Sequence, residues 1–136
     1  AQAPGILEAN LRLLDAHDSQ RAASDAREVE IPLQAVTISG TPCVREGVAL
    51  VSLEPRTLVL SALKPAEHGD GLIVRVQNPG NSSVRAVLRT GFALAAAHAL
   101  RLDESATDEA LDATPDWVSF EVPPHALRTL LLVASG

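Results

Sequence analysis

Apolar and polar residues alternate with a period of two along most of the chain from residue 48 onward. This pattern is typical of half-buried β-strands, because successive side chains of a strand point to opposite faces of its sheet. Strands are predicted at residues 48–53, 57–63, 72–77, 84–89, 98–102, 117–122 and 126–133. Short strands separated by turns predict an antiparallel β-sandwich, so the fold class is mainly all-β.

Three local features refine this prediction. The run Asn78-Pro79-Gly80-Asn81 is a strong turn signal and predicts that strands 72–77 and 84–89 pair as a β-hairpin. Residues 103–116 are acidic and predict a solvated loop, with room for one helical turn. The strand at 126–133 is apolar on both faces, which predicts a central or covered position.

The N-terminal part is predicted to begin with a strand at residues 7–13, although their composition also suits a helix. Asp18 or Ser19 can then cap one short helix that ends at Glu28. Residues 1–136 are predicted to form a single domain. Strand parity predicts a core made of Leu11, Leu13, Val51, Leu58, Leu60, Leu72, Val74, Val76, Ala86, Leu88, Val118, Phe120, Val122, Leu130 and Leu132.

Charge and hydropathy exclude two classes of partner. The formal net charge is −6 and the arginines are scattered, which argues against nucleic acid, since phosphate binding needs clustered cations. No apolar run reaches the length that crosses a bilayer, so no membrane partner is expected.

Candidate chemistry is sparse. Cys43 is the single cysteine and has no local motif that would make it a nucleophile. The pairs His17-Asp18 and His68-Gly69-Asp70 each offer two potential metal ligands where a zinc site needs three or four, so a helix start and a surface turn explain them. We expect no catalytic residue and no metal in this segment.

The chain has only three aromatic residues, Phe92, Trp117 and Phe120. Sugar-binding modules stack pyranose rings on exposed aromatic rings, which offer flat contact area at low entropic cost. A broad stacking platform is therefore not expected. An autonomous carbohydrate- or protein-binding β-sandwich module remains the alternative function, with its sugar-binding form disfavoured.

One stretch carries a family resemblance: residues 61–71, Ser-Ala-Leu-Lys-Pro-Ala-Glu-His-Gly-Asp-Gly, followed by the alternating run 72–79. It resembles the C-terminal β-domain of glycoside hydrolase family 38, the α-mannosidases. Further similar stretches, in family order, are residues 11–18, 31–36, 51–55 with 58–64, and 122–130. Residues 51–55 and 58–64 fit the paired strands that precede the turn in that family.

The resemblance implies a non-catalytic piece of a retaining, zinc-dependent α-mannosidase. In that family a zinc ion held by His and Asp side chains binds the terminal mannose, and an Asp nucleophile forms a glycosyl-enzyme intermediate with the sugar. The zinc ligands and the nucleophile lie upstream of the β-rich region. The implied partners are the catalytic and middle domains of the same polypeptide, with a mannose-containing glycan bound by the parent enzyme. No cofactor is implied for this segment itself, and a bacterial, cytoplasmic enzyme is favoured.

Five residues are candidates for contact with substrate or with another domain. Lys64, Glu67 and Asp70 belong to the family-like turn, and Arg75 lies on the strand that follows it. Trp117 has the parity opposite to the inward side chains of its strand, and an exposed tryptophan is often an interface residue; partial burial under the loop 103–116 is the alternative. The expected role is to pack against the catalytic body and help shape the substrate entrance.

Overall fold

Eight strands form two antiparallel sheets in the part of the chain that this computed structural model describes. They are β1 (Val51–Glu54), β2 (Val59–Pro65), β3 (Leu72–Gln77), β4 (Val84–Thr90), β5 (Leu94–Leu100), β6 (Asp112–Ala113), β7 (Trp117–Val122) and β8 (Leu127–Ala134). Sheet 1 has the order β1-β4-β7-β6, and sheet 2 has the order β2-β3-β8-β5. The predicted antiparallel β-sandwich is confirmed.

The structure describes residue 47 and residues 49–135. The predicted strand at 7–13, the predicted helix at 19–28 and the core candidates Leu11 and Leu13 lie outside these residues. Within the described part no helix is present, so none there could cross a membrane.

The core lies between the two sheets and is built from the inward side chains of both. Every predicted core residue in the described range either belongs to this buried cluster or packs against it as a half-buried side chain. Phe120 is 4% exposed and is the one aromatic side chain that is fully part of the cluster. Period-two parity therefore identified the core face of β1, β2, β3, β4, β7 and β8, whereas no core residue was predicted on β5 or β6.

The predicted core lacks four buried apolar residues, which are Val59, Ile73, Leu94 and Ala99. Leu94 of β5 joins the core, where the sequence predicted a strand only from residue 98. Ile73 is completely buried although it lies on the outer face of sheet 2, between the inward residues Leu72 and Val74. On that outer face, Arg75 contacts the loop that follows β5.

The predicted hairpin of β3 and β4 is wrong, because the two strands belong to different sheets. β3 pairs with β2 and β8, whereas β4 pairs with β1 and β7. The turn signal at Asn78 is real, but this turn carries the chain from one sheet across to the other. The Asn78 amide nitrogen donates hydrogen bonds to the carbonyl oxygens of Val122 (2.9 Å) and Pro123 (3.1 Å) at the end of β7. It therefore ties the end of β3 to the opposite sheet.

The segments expected to pair before the family-like turn do not pair with each other either. β1 pairs with β4 in sheet 1, and β2 pairs with β3 in sheet 2. Two pairs of strands that are consecutive in the chain, β1 with β2 and β3 with β4, therefore lie in opposite sheets and are not hydrogen bonded to each other. The prediction for the last strand is confirmed, since β8 lies between β3 and β5. The acidic loop contains no helical turn, and β6 is its one strand.

Candidate functional site

An ionic cluster made of Lys64, Glu67, Arg75 and Glu104 lies on the outer face of sheet 2. Lys64 of β2 is directly opposite Ile73 of β3, and Arg75 is two residues further along β3. Directly opposed residues and residues two apart share one face of a sheet. The strand register therefore places both cations beside each other and away from the core.

Glu104 holds this cluster together from the loop that follows β5. Its Oε1 atom lies 2.5 Å from Lys64 Nζ and 3.6 Å from Arg75 Nη2. Lys64 Nζ also lies 2.8 Å from Glu67 Oε1. Arg75 Nη2 donates a hydrogen bond of 2.7 Å to the carbonyl oxygen of Leu102 in the same loop. The loop after β5 is thus attached to both β2 and β3.

The other oxygen of Glu104 reaches the turn between β2 and β3. The backbone N–H of Glu67 donates to Glu104 Oε2 at 3.1 Å, across 37 positions of sequence. The Glu104 side chain is only 9% exposed, which is unusual for a carboxylate on a sheet surface. Its backbone has φ of 65°, a left-handed conformation that costs a residue with a Cβ about 1–2 kcal/mol. Tertiary contacts hold Glu104 in this conformation.

The charges of the cluster stabilise one another. The hydrogen bond to Glu104, and then the one to Glu67, raises the pKa of Lys64 above its ordinary value. The hydrogen bond from Lys64, and then the one from the Glu67 backbone, lowers the pKa of Glu104 below its ordinary value. Both groups are therefore charged over the whole physiological range.

The turn between β2 and β3, called here the 66–71 turn, has its own backbone requirements. The N–H of Ala66 donates to the carbonyl oxygen of Gly71 at 3.1 Å and closes the turn. Gly69 has φ of 75° and Gly71 has φ of 143°, conformations that favour glycine. A Cβ at Gly71 would lie 2.9 Å from the carbonyl oxygen of Leu132 on β8. Glycine at residue 71 therefore lets the turn approach the neighbouring strand.

The five predicted interface residues do not form one site. Lys64, Glu67 and Arg75 come together in the ionic cluster, as described above. Asp70 is exposed in the 66–71 turn and lines a separate pocket of about 300 Å³ with Phe92 and other apolar side chains. Trp117 is half-buried on the outer face of sheet 1, the face that parity predicted for it.

Sequence reasoning missed Glu104, the residue that connects the cluster. It lies in the acidic segment 103–116, and no local pattern distinguishes it there from its neighbours. Its role depends on the path of the loop after β5, which crosses back over sheet 2. Strand parity carries no information about the path of a loop.

His68 and Asp70 are both exposed in the 66–71 turn. Among residue 47 and residues 49–135, no three histidine, cysteine or carboxylate side chains come close enough together to hold a metal ion.

Comparison with protein families gives one match. The family model described as the glycosyl hydrolases family 38 C-terminal beta sandwich domain matches residues 57–130, more than half of the chain. The matched region includes the 66–71 turn and all four residues of the ionic cluster. Neither the curated proteins nor the solved structures gave a match.

Proposed function

The chain belongs to the family of glycosyl hydrolase 38 C-terminal β-sandwich domains, and from this premise we propose that it is the non-catalytic β-domain of an α-mannosidase-type glycoside hydrolase. In this proposal it packs against the catalytic body of the same polypeptide and helps to shape the substrate entrance. The zinc ion and the two carboxyl groups that a retaining mechanism requires belong to that body. The parent enzyme binds the mannose-containing glycan.

The observation that supports a docking role is the way Glu104 fixes the 66–71 turn. Lys64 and the Glu67 backbone both contact Glu104, so the root of the turn is tied to a second loop. The side chains at the tip, including His68 and Asp70, remain exposed. A turn that is ordered before contact loses less conformational entropy when it binds another surface.

The first experiment tests the parent activity. The whole polypeptide encoded by the source gene is assayed with 4-nitrophenyl α-D-mannopyranoside in the presence of zinc, in parallel with residues 1–136 alone. We expect hydrolysis by the whole polypeptide and none above background by the 136-residue chain. Turnover by the short chain would refute the non-catalytic role, and an inactive but folded whole polypeptide would refute the mannosidase parent.

The second experiment tests the docking surface in the whole polypeptide. Asp70→Arg reverses a charge at the tip of the 66–71 turn without removing a member of the ionic cluster. Asp108→Arg is the matched control, because Asp108 is an exposed carboxylate outside the turn. We expect Asp70→Arg to lower kcat/KM and to increase proteolysis between the domains, each several-fold, while Asp108→Arg behaves as the wild type. Equal behaviour of the two variants would show that the turn does not dock.

A further inference from the structure

A second site lies on the outer face of sheet 1, on the far side of the sandwich from the ionic cluster. It is an open pocket of about 390 Å³, called here the Trp117 pocket. Its lining residues are Arg85, Val87, Arg89, Asp112, Trp117 and Ser119. Its volume falls in the range of small-ligand sites, which is about 300–1,000 Å³. The proposed docking role does not involve this face.

Strand register explains how these side chains come together. Arg89 of β4 is directly opposite Trp117 of β7, and Val87 is directly opposite Ser119. Asp112 of β6 faces Ser119 from the other side. Residues that are opposed across antiparallel strands share a face. The pocket is therefore built on three hydrogen-bonded strands and does not depend on a loop conformation.

The buried hydroxyl of Ser119 is the feature of this pocket that points to a ligand. The residue is 5% exposed, and its hydroxyl has no hydrogen-bond partner in the part of the chain that the structure describes. Buried polar groups in folded proteins nearly always have a partner. The other residues of the pocket lining shield this hydroxyl, so a polar group that enters the pocket reaches it once these side chains move aside.

The charged groups around Ser119 are also free to bind a ligand. Arg85 Nη2 and Asp112 Oδ2 lie 3.4 Å apart, and their side chains are 60% and 63% exposed. Such an exposed pair is held weakly and can separate. The Arg89 side chain is exposed, and within residues 49–135 it makes neither an ion pair nor a side-chain hydrogen bond. The pocket thus offers two guanidinium groups and one carboxylate around one indole ring.

We propose that the Trp117 pocket binds a single pyranose ring of a glycan. A pyranose has a flat face of C–H groups, which packs on an aromatic ring, and a rim of hydroxyl groups that both donate and accept hydrogen bonds. Trp117 supplies the ring surface. The arginines donate to sugar oxygens, and Asp112 accepts from sugar hydroxyl groups. The Ser119 hydroxyl completes its own hydrogen bonding with the bound sugar.

The shortage of aromatic residues limits the site to one sugar ring. Trp117 is the only aromatic side chain in the pocket, since Phe120 lies in the core and Phe92 packs against it. A single stacking ring flanked by polar groups on neighbouring strands suits one ring and not an extended chain. The broad stacking platform that the composition excludes is not required here.

Trp117 itself provides the assay. It is the only tryptophan, and the chain has no tyrosine, so intrinsic fluorescence reports on this pocket alone. The 136-residue chain is titrated with methyl α-D-mannopyranoside, methyl α-D-glucopyranoside and methyl β-D-glucuronide, and amide NMR shifts are followed in parallel. We expect saturable changes at Trp117, Ser119 and Asp112 for at least one of them, with a Kd of about 0.1–10 mM. No change at these residues up to about 50 mM of any glycoside would overturn the proposal.

Variants separate binding from folding. By NMR, Trp117→Ala should weaken binding about 10-fold or more, and Arg89→Ala about 5-fold. Arg56→Ala is the matched control, because Arg56 is an exposed arginine outside the pocket, and it should bind as the wild type.

Ser119→Ala gives the sharpest test. It removes a hydroxyl without a partner, so the melting temperature should stay the same or rise, while binding weakens about 3-fold. Wild-type affinity in a folded Trp117→Ala variant would place the sugar elsewhere and overturn the proposal.

Discussion

Asn78 joins three segments at one end of the sandwich, and Asn78→Ala is expected to destabilise the fold strongly. The side chain is 1% exposed. The two N–H groups of its amide face three carbonyl oxygens, those of Ser82 (2.8 Å), Val122 (2.9 Å) and Pro123 (3.1 Å), so one N–H is shared between two acceptors. Its Oδ1 accepts from the N–H of Gly80 at 2.9 Å. Alanine keeps the backbone but removes all four contacts.

The size of the expected destabilisation depends on which buried groups lose their hydrogen-bond partner in Asn78→Ala. The hydrogen bonds from Gly80 and to Val122 are buried, whereas the one to Ser82 is only partly buried and water can replace it. Pro123 keeps the hydrogen bond from the N–H of Ala126. Two buried groups therefore lose this bond, at about 1–3 kcal/mol each. We expect Asn78→Ala to lower the free energy of unfolding by about 3–4 kcal/mol, a large part of the stability of a typical domain.

Urea unfolding followed by the fluorescence of Trp117 measures this change. The matched control is Asn81→Ala in the same turn, because the Asn81 side chain is exposed and its hydrogen bond is to the exposed ring of His125. The control should lose less than about 0.5 kcal/mol. A loss below about 1 kcal/mol for Asn78→Ala, with an unchanged denaturant slope, would refute the claim that this side chain holds the two sheets together.

Three further predictions concern the core, the turn and the ionic cluster. Phe120→Ala should cost about 3–5 kcal/mol in urea unfolding, and a loss under about 1 kcal/mol would contradict its buried position. Gly71→Ala should destabilise more than Gly69→Ala by about 1–3 kcal/mol in the same assay, because both residues have positive φ but only a Cβ at residue 71 meets backbone; equal losses would contradict the close approach. Because the pKa of Glu104 is lowered, its contribution to the free energy of unfolding is present above about pH 4.5 and is lost as pH falls through the lowered pKa. Because the pKa of Lys64 is raised, its contribution is lost only as pH rises above 10.5. The urea concentration at the unfolding midpoint should therefore depend less on pH in Glu104→Gln than in the wild type, both at acid and at alkaline pH. An unchanged pH dependence would rule out a contribution of the Lys64–Glu104 pair to stability.

Period-two parity predicted the sandwich and its core because it depends only on which face of a strand is apolar. Val118, Phe120 and Val122 follow this rule and are buried. Pairing between strands could not be predicted in the same way. The turn at Asn78 has the composition of a hairpin turn, and only the contacts with Val122 and Pro123 reveal that it crosses between sheets.

The site was predictable to the same extent. Lys64 and Arg75 were singled out because they lie on or beside a recognisable turn, and only the strand register shows that they share one face of sheet 2. Glu104 and Ser119 were missed for different reasons. Glu104 acts through a fold-back of its loop, and Ser119 is an ordinary polar residue whose missing partner is visible only when its neighbours in space are known.

The central position of β8 has a consequence for the order in which the molecule can fold. Among the described strands, β8 is the last in the chain, yet it is the one strand that pairs with β5 and the one that joins β5 to β3. During synthesis, the edges of β5 and β3 that pair with β8 stay unpaired until residues 127–134 have left the ribosome. Unpaired strand edges in incomplete chains are prone to aggregate. The pairing of β8 with β3 and β5 is therefore a late step in folding that joins distant parts of the chain. Until it occurs, the unpaired edges of β3 and β5 are exposed to aggregation.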